Sequence, residues 1–122
     1  MGLSSAQTVI TVEANADLST KQFFFMTVNS VGRIAPTGDG LAADGVLLDK
    51  PSAAGRAGAL QIGGRAKVSA GATITAGDEV ASDAAGEAVP AATGDVVLGR
   101  ALSGGANGEI IDMIFQPRGA AT

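Results

Sequence analysis

Val46-Leu47-Leu48, Ser52-Ala53-Ala54-Gly55 and Leu60-Gln61-Ile62 follow one another as a strand, a turn of tiny residues and a second strand. The same order returns 51 positions later as Val97-Leu98-Gly99, Ser103-Gly104-Gly105-Ala106 and Ile111-Asp112-Met113. Short apolar runs bounded by Gly, Ala and Ser clusters are the signature of a small all-β unit. Two copies fall short of a solenoid array, so the pair reads as two similar hairpins inside one domain. The expected architecture is a small single-domain β-barrel or sandwich of short antiparallel strands with Gly/Ala-rich turns and an extended N-terminal arm.

Outward from these hairpins the chain divides into an arm and first strand over residues 1–15, a β domain over residues 16–117 and a tail over residues 118–122. Residues 8–13 alternate as a strand, with Thr8, Ile10 and Val12 on one face and Val9, Thr11 and Glu13 on the other. Residues 22–28 form the next predicted strand, which sets Phe23 and Phe25 on one face and Phe24 on the opposite one. Both faces are then apolar, and the strand is either buried between layers or exposed on one side to a partner. Residues 33–35, closed by Pro36, and residues 46–48 are further short strands. Gly63-Gly64 is suited to a tight hairpin between strands at 59–62 and 65–69, because glycine accepts positive φ. In the second of these Arg65 and Lys67 face solvent while Ala66 and Val68 face inward. Gly77-Asp78 and Gly94-Asp95 each read as a turn that launches a strand. Residues 96–102 and 109–115 carry the strongest strand signal.

Composition excludes more than it specifies. The 122 residues contain no cysteine and no histidine, so disulfides, thiolate metal sites, imidazole ligands and the commonest general base are all missing. The only aromatics are four phenylalanines, so the core is lean and self-association is expected to add stability. Net charge is −4 and the eight basic residues are scattered, which argues against a nucleic-acid surface. The longest apolar run, Phe23-Phe24-Phe25-Met26, is far too short to span a bilayer, and no secretory signal is evident, so a soluble protein made inside the cell is expected.

Motifs that carry chemistry are weak. Gly38-Asp39-Gly40-Leu41-Ala42-Ala43 matches a dinucleotide fingerprint in letters, but Asp44-Gly45 breaks the helix that the fingerprint needs. Asp39 with Asp44, or Asp78, Glu79 and Asp83, lack calcium-loop spacing and read as solvated turns. Lys67 and Ser69 share a strand face without any histidine partner, and Lys67 lies in a polar alternation that gives no reason for a lowered pKa. No catalytic, cofactor-binding or metal site is expected, and no enzyme activity.

The order of turns supports a family resemblance. The segments Ala16-Asp17-Leu18-Ser19-Thr20-Lys21-Gln22-Phe23, Gly45-Val46-Leu47 with Lys50-Pro51-Ser52-Ala53-Ala54-Gly55, Gly64-Arg65-Ala66-Lys67-Val68, Ile74-Thr75-Ala76-Gly77-Asp78-Glu79-Val80 and Gly94-Asp95-Val96-Val97-Leu98-Gly99-Arg100-Ala101-Leu102 run in sequence. Together they resemble the small capsid decoration, or cement, proteins of tailed bacteriophages and prophages. The resemblance implies a β-rich subunit, commonly a homotrimer, that binds the outer surface of the capsid and bridges neighbouring major capsid proteins. It implies a virion location, with host cytoplasm during assembly, and no nucleic-acid, membrane or small-molecule partner. Other readings are a tail or head fibre component, or a cellular β-barrel that binds a small ligand. The candidate interface residues are Met1, Gly2, Leu3, Ser4 and Ser5 of the arm, Phe23, Phe24 and Phe25, and the tiny-residue turns at Ser52, Ala53, Gly55, Ser103, Gly104 and Gly105.

Overall fold

Nine strands and no helix make up residues 8–121, the part of the chain that the computed structural model describes. They are β1 (Thr8–Ala14), β2 (Phe25–Val28), β3 (Arg33–Pro36), β4 (Gly45–Leu47), β5 (Ala57–Ser69), β6 (Glu79–Ser82), β7 (Ala88–Pro90), β8 (Gly99–Ala101) and β9 (Ile110–Phe115). The chain is a single small all-β domain. Residues 1–7, with Met1, Gly2, Leu3, Ser4 and Ser5 of the expected arm, lie outside the described residues.

The pairings form two rings. β1 pairs with β3, β3 with β2, β2 with β4, β4 with the first half of β5, and β5 returns to β1. This closed five-stranded ring, residues 8–62, is barrel 1. From Gly64 onward β5 pairs with β9, and β8, β6 and β7 follow in order. One parallel bridge, Ala70↔Ala88, closes this second ring, barrel 2. Most pairs are antiparallel as expected, but both rings are closed by a parallel contact, and β5 runs for 13 residues through both.

The two barrels are copies of one plan. Met26↔Pro36 and Met26↔Gly45 in barrel 1 reappear as Val80↔Pro90 and Val80↔Gly99 in barrel 2, each residue 54 positions on. Hydrogen bonds outside the ladders repeat as well. Phe23 N–H donates to Leu47 O at 2.7 Å, and Gly77 N–H donates to Ala101 O at 2.8 Å. Asn29 Oδ1 accepts from the Val31 and Arg33 amides, and Asp83 Oδ1 accepts from those of Ala85 and Glu87. Asp49 Oδ1 receives the Ala59 N–H, where Ser103 Oγ receives that of Asp112. The interior follows: Ala14, Leu18, Met26, Ile34, Leu47 and Leu60 fill barrel 1, and Ala70, Ile74, Val80, Ala88, Ala101 and Met113 hold the same places in barrel 2.

This plan corrects three expectations. The hairpins do repeat, but as parts of a larger unit, and the offset is 54 at Gly45 and Gly99 and 53 at Leu60 and Met113, not 51. Apolar triplets slide past one another without visible penalty in sequence; ladder register fixes them. Gly63-Gly64 makes no hairpin. Gly64 at φ 84° kinks one continuous strand where it leaves β1 and joins β9, and the register with β1 shifts there. Such a bulge bends a strand and raises its local twist. The buried Gln61 holds the kink, its Nε2 donating to Gly63 O at 2.9 Å and Arg65 O at 2.7 Å.

The third correction concerns the phenylalanine run. β2 begins only at Phe25, and Phe23 sits at φ 67°, so Phe23 and Phe25 do not share a strand face. A turn of Lys21 to Phe24, closed by the Phe24 N–H to Lys21 O bond, takes the place of regular alternation. Its equivalent in barrel 2 is Gly77 at φ 92°, the residue type that this conformation favours. Phe23 thus occupies a glycine position.

Candidate interaction surfaces

Each predicted interface element has a definite place. Phe25 is fully buried at the junction of the barrels, its ring 6.1 Å from that of Phe115 at an interplanar angle of 34°. Tilted aromatic pairs at this separation gain beyond their buried area. Ala43 and Val46 of barrel 1 join Phe25 in the core of barrel 2. Phe25 thus belongs to the core that the two barrels share. Phe24 is half-buried against the barrel 1 interior, with Lys21 Nζ 5.0 Å from its ring centroid. Phe23 is also half-buried.

Backbone bonds explain how one barrel seals the other. Barrel 1 closes its parallel seam with two rungs, Glu13↔Arg33 and Ala14↔Ile34, while barrel 2 has the single bridge Ala70↔Ala88. At the missing rung the turn before β2 and the first residue of β2 enter: Ser69 N–H donates to Phe23 O at 2.8 Å, and Phe25 N–H donates to Gly86 O at 2.7 Å. Gly40 adds a third link, its N–H on Ser82 O and its carbonyl receiving the Val96 N–H. Barrel 2 is completed by a strand segment of barrel 1.

The tiny-residue turns occupy equivalent positions where β1 and the second half of β5 finish. Gly55 N–H donates to Ala14 O, and Gly108 N–H to Ala70 O. Ser52 and Ala53 are exposed and Gly55 half-buried. In the second turn Ser103 is half-buried and its Oγ accepts the Asp112 N–H at 3.0 Å. A Cβ on Gly104 would lie 2.9 Å from Ile74 O, and one on Gly105 2.8 Å from the Ile111 side chain. Their smallness serves packing inside barrel 2. The turns cap barrel ends, whereas Phe25 is internal; the second turn meets the junction through Ala70, which accepts the Gly108 N–H and follows Ser69, the donor to Phe23 O.

Charge gathers on the outer face of β5 and β9. Asp112 takes Arg65 Nη2 at 3.0 Å on one oxygen and Lys67 Nζ at 3.3 Å on the other. The Arg65 hydrogen bond, with Lys67 assisting, holds the Asp112 carboxyl below its ordinary 3.8 against the opposing effect of burial. Exposed Ile110 and Ile114 flank Asp112 on this face. Among the described residues no group of three or more acidic side chains is arranged to hold a metal ion, and no cavity is enclosed.

Sequence reasoning missed one surface. Ile10, Val28 and Ile62 are exposed where β1 begins and where β2 and the first half of β5 end, and Val31 is exposed in the turn between β2 and β3. The alternation set Ile10 on one face with Val12 without saying which face is inward, and the ring topology shows that no described residue covers this end of barrel 1.

No family model matches the chain, and no curated protein sequence matches it either. Among solved structures it is similar to the N-terminal base of the head fibre protein gp8.5 of bacteriophage phi29, with a TM-score of 0.72 and 18% identity. The match covers 95% of this chain and 98% of that one. At this identity the likeness is one of fold, and it takes in both barrels.

Proposed function

We propose that this chain is a structural protein of a tailed-phage virion, seated on the outer surface of the capsid and bridging neighbouring major capsid proteins. The observation that carries the reading is the end-to-end likeness of fold to the base of a phage head fibre. The order of turns that resembles capsid decoration proteins supports it independently. The role is mechanical and non-catalytic. Two barrels joined by strand insertion and a shared aromatic core make a stiff body, and a stiff body loses little conformational freedom on docking. A homotrimer on the shell gains avidity, because each subunit already bound raises the effective concentration of the next contact.

The test adds purified protein to capsids that lack it and images the particles. Regular density on the shell, with a fixed number of copies per particle and raised resistance of the capsid to heat, is the expected result. No association with capsids refutes the reading. A second reading, the base of a head fibre, is favoured by the name of the similar structure. Images of native particles separate the two, since a fibre base carries a projecting shaft at few sites and a cement subunit covers the shell.

A further inference from the structure

The duplicated plan allows each surface of one barrel to be compared with its counterpart in the other. In barrel 2 the end lined by Ala66, Ser82 and Phe115 is covered by Phe25 and the start of β2 from barrel 1. The counterparts in barrel 1 are Ile10, Val28 and Ile62, set by the pairs Val9↔Gln61 and Arg65↔Ile114 and by the 54-residue offset of β2 and β6. Nothing described covers them. Ala66, Ser82 and Phe115 are 2%, 0% and 3% exposed, against 40%, 38% and 37% for Ile10, Val28 and Ile62. An end that is closed by an aromatic side chain in one copy is apolar and, among the described residues, uncovered in the other.

The opposite terminus of the molecule has been made polar. The wall of barrel 1 that covers barrel 2 carries Phe25 and Val46; at the same places barrel 2 carries Glu79 and Arg100, both exposed. Glu79 also pairs with Arg118 at 3.8 Å. A terminal unit in a repeat array needs such a polar outer face to stay soluble. Barrel 2 has one and barrel 1 does not. A second copy of this chain cannot supply the missing cover in the manner of the internal junction, because its own Phe25 is already buried and its Glu79 and Arg100 would be desolvated against isoleucine and valine.

We infer that the open end of barrel 1, built from Ile10, Val28 and Ile62 with Val31 at its rim, is the face that docks on the shell protein and receives one of its apolar side chains. This rests on the capsid-binding reading above and assigns the orientation within it: barrel 1 toward the shell, barrel 2 with its charged end toward solvent. The chain enters β1 at this same end.

The experiment compares Ile62→Glu and Val28→Glu with Leu102→Glu and Ile114→Glu, exposed apolar residues of barrel 2, in co-sedimentation with capsids lacking the protein. All four sites are exposed, and thermal melts verify folding. The first pair should bind about tenfold more weakly or worse and the second pair as wild type. Equal binding by all variants, or loss confined to the barrel 2 pair, overturns the orientation while leaving capsid binding intact. A wild-type chain that does not sediment with capsids overturns both. A chain lacking residues 1–7 adds one control with an apolar dye such as ANS. If the dye binds only after truncation, the arm itself covers this end and the inference falls; if it binds the full chain and is lost in Ile62→Glu, the face is open as stated.

Discussion

The Phe25 amide donates to the Gly86 carbonyl at 2.7 Å, one of the bonds that join the start of β2 in one barrel to the seam of the other. Gly86 is held at φ 92°, and a Cβ there would lie 2.9 Å from the Phe25 carbonyl oxygen. Its counterpart Gly32 has φ 80° and open space around it. Gly32→Ala should cost about 1 kcal/mol from the left-handed conformation alone. Gly86→Ala should cost roughly 2–4 kcal/mol, because strain and a backbone clash add. Denaturant midpoints of the two variants check the difference, and equal losses would mean that the junction yields easily.

Phe25→Ala removes the largest side chain shared by both barrels. The expected loss is about 3–5 kcal/mol, as for other buried phenylalanines. Phe24→Ala, at a half-buried ring beside Lys21, should lose roughly 1–2 kcal/mol, in proportion to the smaller apolar area removed. Chemical denaturation read by far-ultraviolet circular dichroism measures both.

The equivalence of Asn29 and Asp83 gives a substitution whose outcome the molecule has already tried. Each oxygen accepts two amide hydrogens of its own turn. Asp83→Asn should therefore leave stability within about 0.5 kcal/mol of wild type, while Asp83→Ala, which strands both amides, should lose about 1–2 kcal/mol. Thermal midpoints distinguish them.

How legible all this was in the sequence depends on which physical quantity set it. Strand positions carried by local alternation, such as residues 8–13 and the outward Arg65 and Lys67 beside inward Ala66 and Val68, could be read directly. What needed long-range pairing could not. Gly63-Gly64 has the letters of a hairpin turn, and only the exchange of β1 for β9 as partner shows that the strand runs on. Phe23-Phe24-Phe25 looks like a strand because nothing local announces φ 67° at a phenylalanine; the hint lay in its alignment with Gly77 in the other copy. That alignment was hidden because the copies keep their plan while replacing Phe25 by Glu79 and Val46 by Arg100 at the surface the first copy buries. The same replacement concealed the open end of barrel 1, whose residues stand out only when set beside their covered counterparts.

Acid stability should have one identifiable contributor at Asp112. Its carboxyl is held below 3.8 chiefly by Arg65, so the pairing stabilises the fold above that pH and is lost as pH falls through the lowered value. Arg65 and Lys67 are largely exposed, which keeps the contribution below about 1 kcal/mol and sensitive to salt. Asp112→Asn should be slightly less stable than wild type at pH 7, and the two should converge once the pH has fallen through the lowered value of the carboxyl. Urea titrations across pH test this, and a gap that persists at the lowest pH would assign the effect to the backbone at Ser103 and Asp112 instead.

Bulky substitutions separate the two tiny-residue turns by what each is for. Ala53 is exposed on the first turn, and Ala53→Leu should leave the thermal midpoint within about 2 °C of wild type. Gly105 backs onto Ile111, with room for no Cβ closer than 2.8 Å, so Gly105→Leu should lose roughly 2 kcal/mol or more by forcing the β9 strand outward. Capsid occupancy measured beside the melts then reads the turns as contacts. If the first turn touches the shell, Ala53→Leu binds less at unchanged stability; if it does not, Ala53→Leu matches wild type in both measurements while Gly105→Leu falls in stability alone or in both together.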